Sequence, residues 1–419
     1  MSTSTTRPTT PPSRHPDGPC RVPAGIKAFS TLLGHRVPDA SYFRYLGECL
    51  NVGDAPADDL VEWMYSEGMA TARPMFEQAL AEGVDSVPDA PAPLMEFFRL
   101  VEAIPNWLDR EQLELGAAVM RSGGADGLYI ARDVALLGGY MFSGFNQTLL
   151  RTGALEKGPN ARFAETTRWA LDVIAEGGLQ VGGAGYRSTV RVRMIHALVR
   201  RHVSAMPDWE PETWGLPINQ TDMAATLVGS LIAPSVGGIA MGKISKPSEY
   251  DAIAHLTRYV GLLMGVQDDF LPRSFRDGVG ILYHTSCALS TPDETTQLLS
   301  RPMIDDPLGW NYPRFENVRR CIARHQHLSI TSAFLGPSAM RTLGLPTFVP
   351  PWYPVMRMPV NLARSVATLF PGGRERAANR GWDEQEHFMR TMVSSGEATI
   401  GDSARTFTHQ APCSSGAGR

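Results

Sequence analysis

The amino-acid sequence predicts an all-α protein. Long segments carry apolar residues at the spacing of an α-helix, whereas alternating apolar and polar runs bounded by turn pairs are scarce. The 419 residues are 43% hydrophobic and 20% charged, which is ordinary for a globular protein that forms its core without disulfides. Because no linker or repeat interrupts the middle of the chain, we expect a single large helical domain.

Glycine and proline pairs separate the helical segments, among them Gly123-Gly124, Gly177-Gly178 and Pro207-Asp208. In chain order, the spacing predicts helices over 39–50, 57–83, 92–104, 109–121, 128–152, 159–176, 186–205, 219–242, 247–264, 313–334 and 376–395. The segment 270–312 mixes Pro, Gly and Asp with short apolar runs. We expect it to be a long loop over the core, of a length that is often functional.

The two ends of the chain differ from the middle. The first twenty residues are rich in Ser, Thr and Pro and lack the apolar stretch of a secretory signal. The last eighteen residues are equally poor in apolar periodicity. We therefore expect disordered tails at 1–24 and 401–419, a helical domain over 25–400, and a cytoplasmic location.

Charge and cysteine content exclude several classes of protein. The 39 Lys and Arg residues against 43 Asp and Glu give a net charge of -4, which argues against a nucleic-acid partner. The five cysteines are scattered, without a CxxC pair or a CxxCH motif, and fit a reducing compartment. Residues 223–242 are twenty residues without a charge, but they include Pro234 and four Gly, so we expect a buried helix and no membrane span.

Histidines and carboxylates remain as candidate site residues, because the chain has no GxGxxG, P-loop, HExxH or GxSxG motif. In STVRVRMIHALVRRHV, His196 lies on a helical stripe with apolar residues. The pattern alone favours a buried histidine that is satisfied by a carbonyl or a water. The alternative is an axial ligand of a haem, with Arg193 and Arg200 on the same helix supplying charge for the haem propionates.

A second group of polar residues lies in RFAETTRWALDV, where Arg162 and Thr166 share a helix face and Glu165 is adjacent. The pattern alone favours a surface Arg with an ordinary helical Thr. The alternative is an oxygen-binding pocket, in which a guanidinium and a hydroxyl donate hydrogen bonds to an oxygen species. A third polar group, in LPINQTDMAATL, is typical of a helix N-cap and is not interpreted as catalytic.

Five segments together resemble one family. They are YIARDVALLGGYMFSGFNQTLLRTGALEKGP, RFAETTRWALDV, GYRSTVRVRMIHALVRRHV, WGLPINQTDMAAT and RYVGLLMGVQDDFLP. In this order and spacing they resemble the latex-clearing rubber oxygenases and the wider MpaB-type haem oxygenase family. The resemblance implies a globin-like helical core with additional surrounding helices that binds haem b, an iron cofactor, without thioether links. It implies that His196 is the iron ligand and that Arg162 and Thr166 belong to the distal pocket.

The chain departs from the rubber-cleaving members at two positions. Glu165 stands where the resemblance expects a lysine that can bind the iron, and a carboxylate does not imitate a neutral amine. Asn146 stands where it expects a catalytic glutamate, and an amide does not accept a proton at neutral pH. The secretion signal of an enzyme that attacks an extracellular polymer is also missing from the sequence.

These departures favour an intracellular haem b oxygenase or oxidase that acts with O₂ on a small apolar molecule, such as a terpenoid or a biosynthetic intermediate. Arg162, Thr166, Glu165 and Asn146 are its candidate catalytic residues, and Asn146 would orient the substrate. A redox partner is compatible with this chemistry. The alternatives are oxidative cleavage of polyisoprene, a non-catalytic haem protein that binds a gas, and a cofactor-free helical protein.

Overall fold

The structure, a computed structural model, describes residues 10–393, apart from the side chains of residues 154, 156, 157, 159 and 160. Within these residues the chain is helical and contains no strand beyond a single bridge between Phe142 and Thr291. The predicted all-α class is confirmed.

The first half of the chain forms short and medium helices that surround a longer pair. They are α1 (Ala24–Leu32), α2 (Ala40–Glu48), α3 (Ala55–Glu67), α4 (Met69–Glu82), α5 (Ala92–Glu102), α6 (Arg110–Ser122), α7 (Gly124–Ile130), a π-helix (Ala131–Leu136), α8 (Leu137–Gly139), α9 (Ser143–Arg151), α10 (Ala154–Ile174) and α11 (Ala184–Ser204).

The second half continues the helical arrangement. Its helices are α12 (Pro211–Trp214), α13 (Gln220–Leu231), α14 (Ala233–Ala240), α15 (Pro247–Leu263), α16 (Phe275–Leu289), α17 (Glu294–Asp305), α18 (Glu316–Thr342), α19 (Trp352–Ala367) and α20 (Gly373–Met392). Glycines with positive φ kink α10 at Gly158 and α18 at Gly336.

Three predicted helices are divided in the structure. The segment 57–83 is broken at Gly68, whose φ of 97° does not fit an α-helix. The segment 219–242 is broken at Ile232, ahead of Pro234. The segment 128–152 includes the π-helix and a turn before α9, so its residues face different directions from those of one continuous helix.

The prediction of a long loop over 270–312 is wrong, because this segment forms α16 and α17. Ser274 caps α16 by accepting a hydrogen bond from the Asp277 amide at 3.1 Å. Asp293 begins α17 with a capping box that includes Thr296. Helices α1 and α19 were likewise absent from the predicted set.

The prediction of a disordered N-terminal tail over 1–24 is wrong for residues 10–24. The Ser13 amide donates to the Glu212 carbonyl at 2.8 Å, and the Cys20 amide donates to the Cys287 carbonyl at 2.8 Å. Arg14 is buried and forms an ion pair with Asp222 at 2.7 Å. Residues 1–9 and the predicted tail 401–419 lie outside the described residues.

Helix α6 lies between α15 and α20 and packs closely against both. A Cβ at Gly381 would lie 2.0 Å from the Arg121 carbonyl oxygen, so only glycine permits this approach of α20 to α6.

One helical run in the described chain, Gln220–Ala240, is long and apolar enough to span a membrane. Half of its most apolar stretch of 18 residues is buried inside the protein. A core helix of a globular protein meets the same criterion.

Candidate active site

The helix pair α10 and α11 carries most of the predicted site residues. A glycine-rich turn joins the two helices, and Gly177 and Gly182 adopt the positive φ that reverses the chain. The Trp169 indole donates to the Thr189 hydroxyl at 3.0 Å and holds the two helices together. Arg162 precedes Trp169 by seven residues on α10, and His196 follows Thr189 by seven residues on α11. Because the two helices run in opposite directions, both residues lie roughly 10 Å along the helix axes from this hydrogen bond, on the same side of it.

His196 has the protonation state that a metal ligand requires. Its Nδ1 is buried and has no hydrogen-bond partner. Burial, together with the positive charge of Arg200, lowers the pKa of His196 to about 4. The imidazole is therefore neutral at physiological pH and offers a nitrogen lone pair. The sequence pattern alone favours a histidine satisfied by a backbone carbonyl or a water, and no backbone carbonyl is hydrogen-bonded to this Nδ1.

Arg193 and Arg200 are already paired with carboxylates. Arg193 forms two parallel hydrogen bonds to Asp54, of 2.7 and 2.8 Å. Arg200 donates to Asp58 and to the Ile218 carbonyl, the latter at 2.9 Å. A contact with haem propionates would require these buried pairs to open. The predicted role of both arginines in cofactor binding stays a prediction, and their observed contacts tie α11 to the start of α3.

Arg162 lies within electrostatic reach of both Glu165 and Tyr140. Burial lowers the pKa of the Arg162 guanidinium, while Tyr140 and Glu165 oppose that shift. Thr166 differs from them, because its hydroxyl donates to the Arg162 carbonyl at 3.1 Å and its side chain is exposed. The structure therefore brings Arg162 near Glu165 and near Tyr140, but it directs the Thr166 hydroxyl back onto its own helix.

Asn146 is buried beside this group. Its amide nitrogen donates to the Tyr140 carbonyl at 2.7 Å and to the Thr295 hydroxyl at 3.0 Å. Both amide hydrogens are thus used to hold the turn after α8 against α17. Its Oδ1 is buried without a partner and can accept a hydrogen bond. The predicted role of Asn146 in orienting a substrate stays a prediction.

A buried charged network near this site was missed by the sequence analysis. Arg132, on the π-helix, is fully buried and donates to Asp133 at 2.7 Å, and Asp306 lies 3.6 Å away on its other side. His327 shares a 2.5 Å hydrogen bond with Asp133 through Nδ1, and Trp310 donates to Asp306 at 2.8 Å. The Arg-Asp pair was visible in the sequence, but its partners lie far along the chain.

The network contacts the candidate site through Tyr140. Burial raises the pKa of the Tyr140 phenol, and the positive charges of Arg162 and Arg132 oppose that shift. Tyr140 therefore lies between the Arg162 group and the buried network. A π-helix is frequently found at functional sites, and this one sets the direction of both Arg132 and Asp133.

A cavity of about 110 Å³ lies between α6, α7, α19 and α20. Its wall includes Ala131 and Ala170 together with the charged residues Lys243 and Arg364. Ala170 is one helical turn from Thr166 on α10. In the described part of the chain, no group of three His, Cys, Asp or Glu side chains is arranged to hold a metal ion.

Comparison with known proteins identifies this protein as one of the helical oxygenases. The family described as "ER-bound oxygenase mpaB/B'/Rubber oxygenase, catalytic domain" matches residues 128–370, more than half of the chain. The chain belongs to this family, which confirms the resemblance found in the sequence.

One curated relative and one solved structure extend the comparison. The rubber oxygenase of Streptomyces sp. (strain K30) is 24% identical over 209 residues, and the match covers 48% of this chain and 48% of that protein. The chain thus matches about half the length of this curated relative. The structure of latex clearing protein LCP in the closed state superposes with a TM-score of 0.59 and 18% identity, covering 83% of this chain and 92% of that chain. At this identity the likeness shows a shared fold.

Proposed function

We propose that this protein is a haem b-dependent oxygenase that acts with O₂ on a small apolar molecule. The observation that carries the proposal is His196, a neutral histidine with an unpartnered buried nitrogen, on the helix pair of an oxygenase family member. A haem brings four nitrogen ligands to its iron and needs one side chain from the protein. His196 fits that requirement. We assign the haem domain to residues 25–400 within this proposal.

The arginines around His196 fit a positioning role better than a propionate-binding role. Arg193 and Arg200 precede and follow His196 by three and four residues, so they flank it on α11. Their ion pairs with Asp54 and Asp58 fix the rotation of α11 against α3. The imidazole is thereby held in one direction, which is what a ligand position requires.

Haem, when bound, supplies the iron that activates O₂. On the protein side, Arg162 can donate hydrogen bonds to an oxygen species while the nearby Glu165 balances its charge. The Thr166 hydroxyl joins it only after rotating away from the Arg162 carbonyl. Asn146 can accept a hydrogen bond through its free Oδ1 and so orient a substrate hydroxyl.

Cleavage of polyisoprene is the second candidate function, and the likeness to rubber oxygenase favours it. Glu165 and Asn146 argue against it, because a carboxylate and an amide replace the two residues that the resemblance assigns to that reaction. Oxygen uptake and mass spectrometry with a small terpenoid and with an oligo-isoprene distinguish the candidates. We expect oxygenated product from the small molecule, while aldehyde and ketone ends from the oligomer would favour polyisoprene cleavage.

The visible spectrum tests the cofactor and its ligand together. The parent, expressed with ample haem supply, should show a strong Soret band and a positive pyridine haemochrome assay. In His196→Ala the band should be lost or shifted, because the iron loses its protein ligand. His202→Ala, on the same helix, is the matched control and should keep the parent spectrum. A parent without a Soret band would overturn the haem proposal.

A further inference from the structure

Helix α19 exposes its apolar side to the solvent. The most exposed large apolar side chains on this helix and just after it include Val355, Met356, Leu362, Val366, Leu369 and Phe370. Met356 is 64% exposed and Val366 is 55% exposed. Phe348, which precedes the helix, is 95% exposed. A continuous apolar surface of this kind is uncommon on a monomeric soluble protein and marks an interaction site.

The polar side of the same helix faces the protein interior. Tyr353 donates to Asp126 at 2.7 Å, and Arg357 and Asn361 each donate to the same buried carboxylate at 3.0 Å. Arg364 pairs with Glu384 at 2.9 Å further along. These residues recur at helical spacing and form one stripe.

This arrangement is the reverse of an ordinary surface helix, which buries its apolar stripe and exposes its polar one. The contacts with Asp126 prevent α19 from rotating about its own axis. The Asp126 carboxylate is 1% exposed, and the cations and hydrogen bonds around it lower its pKa despite burial. Rotating the helix would leave this buried charge with only Lys243, at 3.8 Å, in place of its three partners on α19, at a large cost. The apolar face is therefore fixed outward.

The charge of the surrounding chain indicates what covers this face. Between Glu316 and Glu375 the chain has no Asp or Glu and has seven Arg. Five of the seven pair with carboxylates, among them Arg357 and Arg364 on the inward side of α19. The other two, Arg319 and Arg341, are exposed and have no ion pair among the described residues. Arg376, exposed beside the apolar face, donates to the Pro371 carbonyl at 3.0 Å. An apolar helix face with arginine at its borders complements an anionic lipid surface. A second copy docked through the same face would bring arginines opposite arginines.

We propose that α19 lies in the surface of a membrane that contains anionic lipid, with Met356, Leu362 and Val366 inserted among the acyl chains. In this arrangement only one face of α19 contacts the membrane and no helix crosses it, so the arrangement is compatible with the expected cytoplasmic location. The cavity lies directly behind α19, since Asn361, Arg364 and Ser365 belong to both. An apolar molecule dissolved in the lipid would reach this cavity without crossing bulk water. The candidate site residues His196, Arg162 and Asn146 do not line the cavity, so the membrane contact of α19 does not depend on the proposed function.

Vesicle flotation of the full chain tests the surface without measuring activity. The parent should float with phosphatidylcholine vesicles that contain phosphatidylglycerol, and less with phosphatidylcholine alone or at high salt. The triple variant Met356→Gln, Leu362→Gln, Val366→Gln should bind about tenfold more weakly. Because these side chains are exposed, the variant should keep the parent's circular dichroism. Leu100→Gln, at a side chain 54% exposed on α5, is the matched control and should bind like the parent.

Three results would overturn the proposal. Unchanged vesicle binding in the triple variant would assign lipid binding to another surface. The face would be assigned to a second copy if the parent does not bind vesicles and is a dimer by light scattering while the triple variant is a monomer. A monomeric parent that binds neither vesicle type would remove lipid as the occupant. None of these results depends on haem content, so they are separable from failure of the proposed oxygenase function.

Discussion

At the scale of single residues, burial decides the chemistry of the two histidines that matter most. His196 and His327 are both neutral because burial lowers their pKa values. They differ in their partners, since His196 has an unpartnered Nδ1 and His327 shares a hydrogen bond with Asp133. The first is available to a cofactor, whereas the second belongs to a network that neutralises a buried arginine.

Removing the charge of Asp133 should destabilise the protein strongly. Asp133→Asn leaves the fully buried Arg132 without its nearest carboxylate, and only Asp306, at 3.6 Å, remains. Breaking a buried pair in this way costs about 3–5 kcal/mol of unfolding free energy. Equilibrium urea unfolding measures the loss.

The matched control for Asp133→Asn is Asp305→Asn. Asp305 pairs with Arg324 at the surface, where both side chains are substantially exposed. That change should cost less than about 1 kcal/mol. If the two variants unfold at the same urea concentration, the buried network does not contribute the stability that its geometry indicates.

At the scale of helices, strong apolar periodicity predicted most of the elements, and the failures have physical causes. Helix α19 was missed because Pro354 and Pro359 interrupt its pattern. Helices α16 and α17 were missed because the Pro, Gly and Asp residues around them are typical of loops. The π-helix was not predictable, since tertiary packing selects it over an α-helix.

The N-terminal segment 10–20 should contribute to stability through Arg14. This guanidinium donates to the Trp214 carbonyl at 2.8 Å and pairs with Asp222, whose side chain is 10% exposed. Arg14→Ala leaves that carboxylate with only its hydrogen bond from Asn219. We expect a loss of about 2–4 kcal/mol, measured by urea unfolding.

Arg21→Ala serves as the control for Arg14→Ala, because Arg21 is exposed at the end of the same segment. It should unfold like the parent, within about 0.5 kcal/mol. If the parent and Arg14→Ala have the same free energy of unfolding, the segment does not contribute to stability, as expected for a disordered tail.

At the scale of the whole molecule, the candidate site could be predicted only in part. The sequence selected His196, Arg162 and Glu165 from two separate predicted helices, and the structure packs these helices, α10 and α11, against each other. The roles of the three residues stay predictions. The carboxylates Asp54 and Asp58, which engage the arginines beside His196, lie about 140 residues away. No local pattern joins residues so far apart, and their pairing follows from how the whole chain packs.

The close packing of α20 on α6 gives the last prediction. A Cβ at Gly381 would lie 2.0 Å from the Arg121 carbonyl oxygen and 3.0 Å from the Ser122 Cα, both of which are backbone atoms that cannot move alone. Gly381→Ala should therefore push the two helices apart, at a cost of about 1–3 kcal/mol in urea unfolding. It should also alter the cavity, because Gly381, Ser122 and Gln385 are part of its wall.

Gly229→Ala is the matched control, since a Cβ there would meet nothing within 4 Å in the middle of α13. The alanine should stabilise the protein by up to about 1 kcal/mol through its higher helix propensity. Opposite signs for the two glycine substitutions would establish that close helix contact, and not helix propensity, requires glycine at 381. A neutral or stabilising Gly381→Ala would mean that α20 can move away from α6 without loss, and that the cavity wall is not rigid.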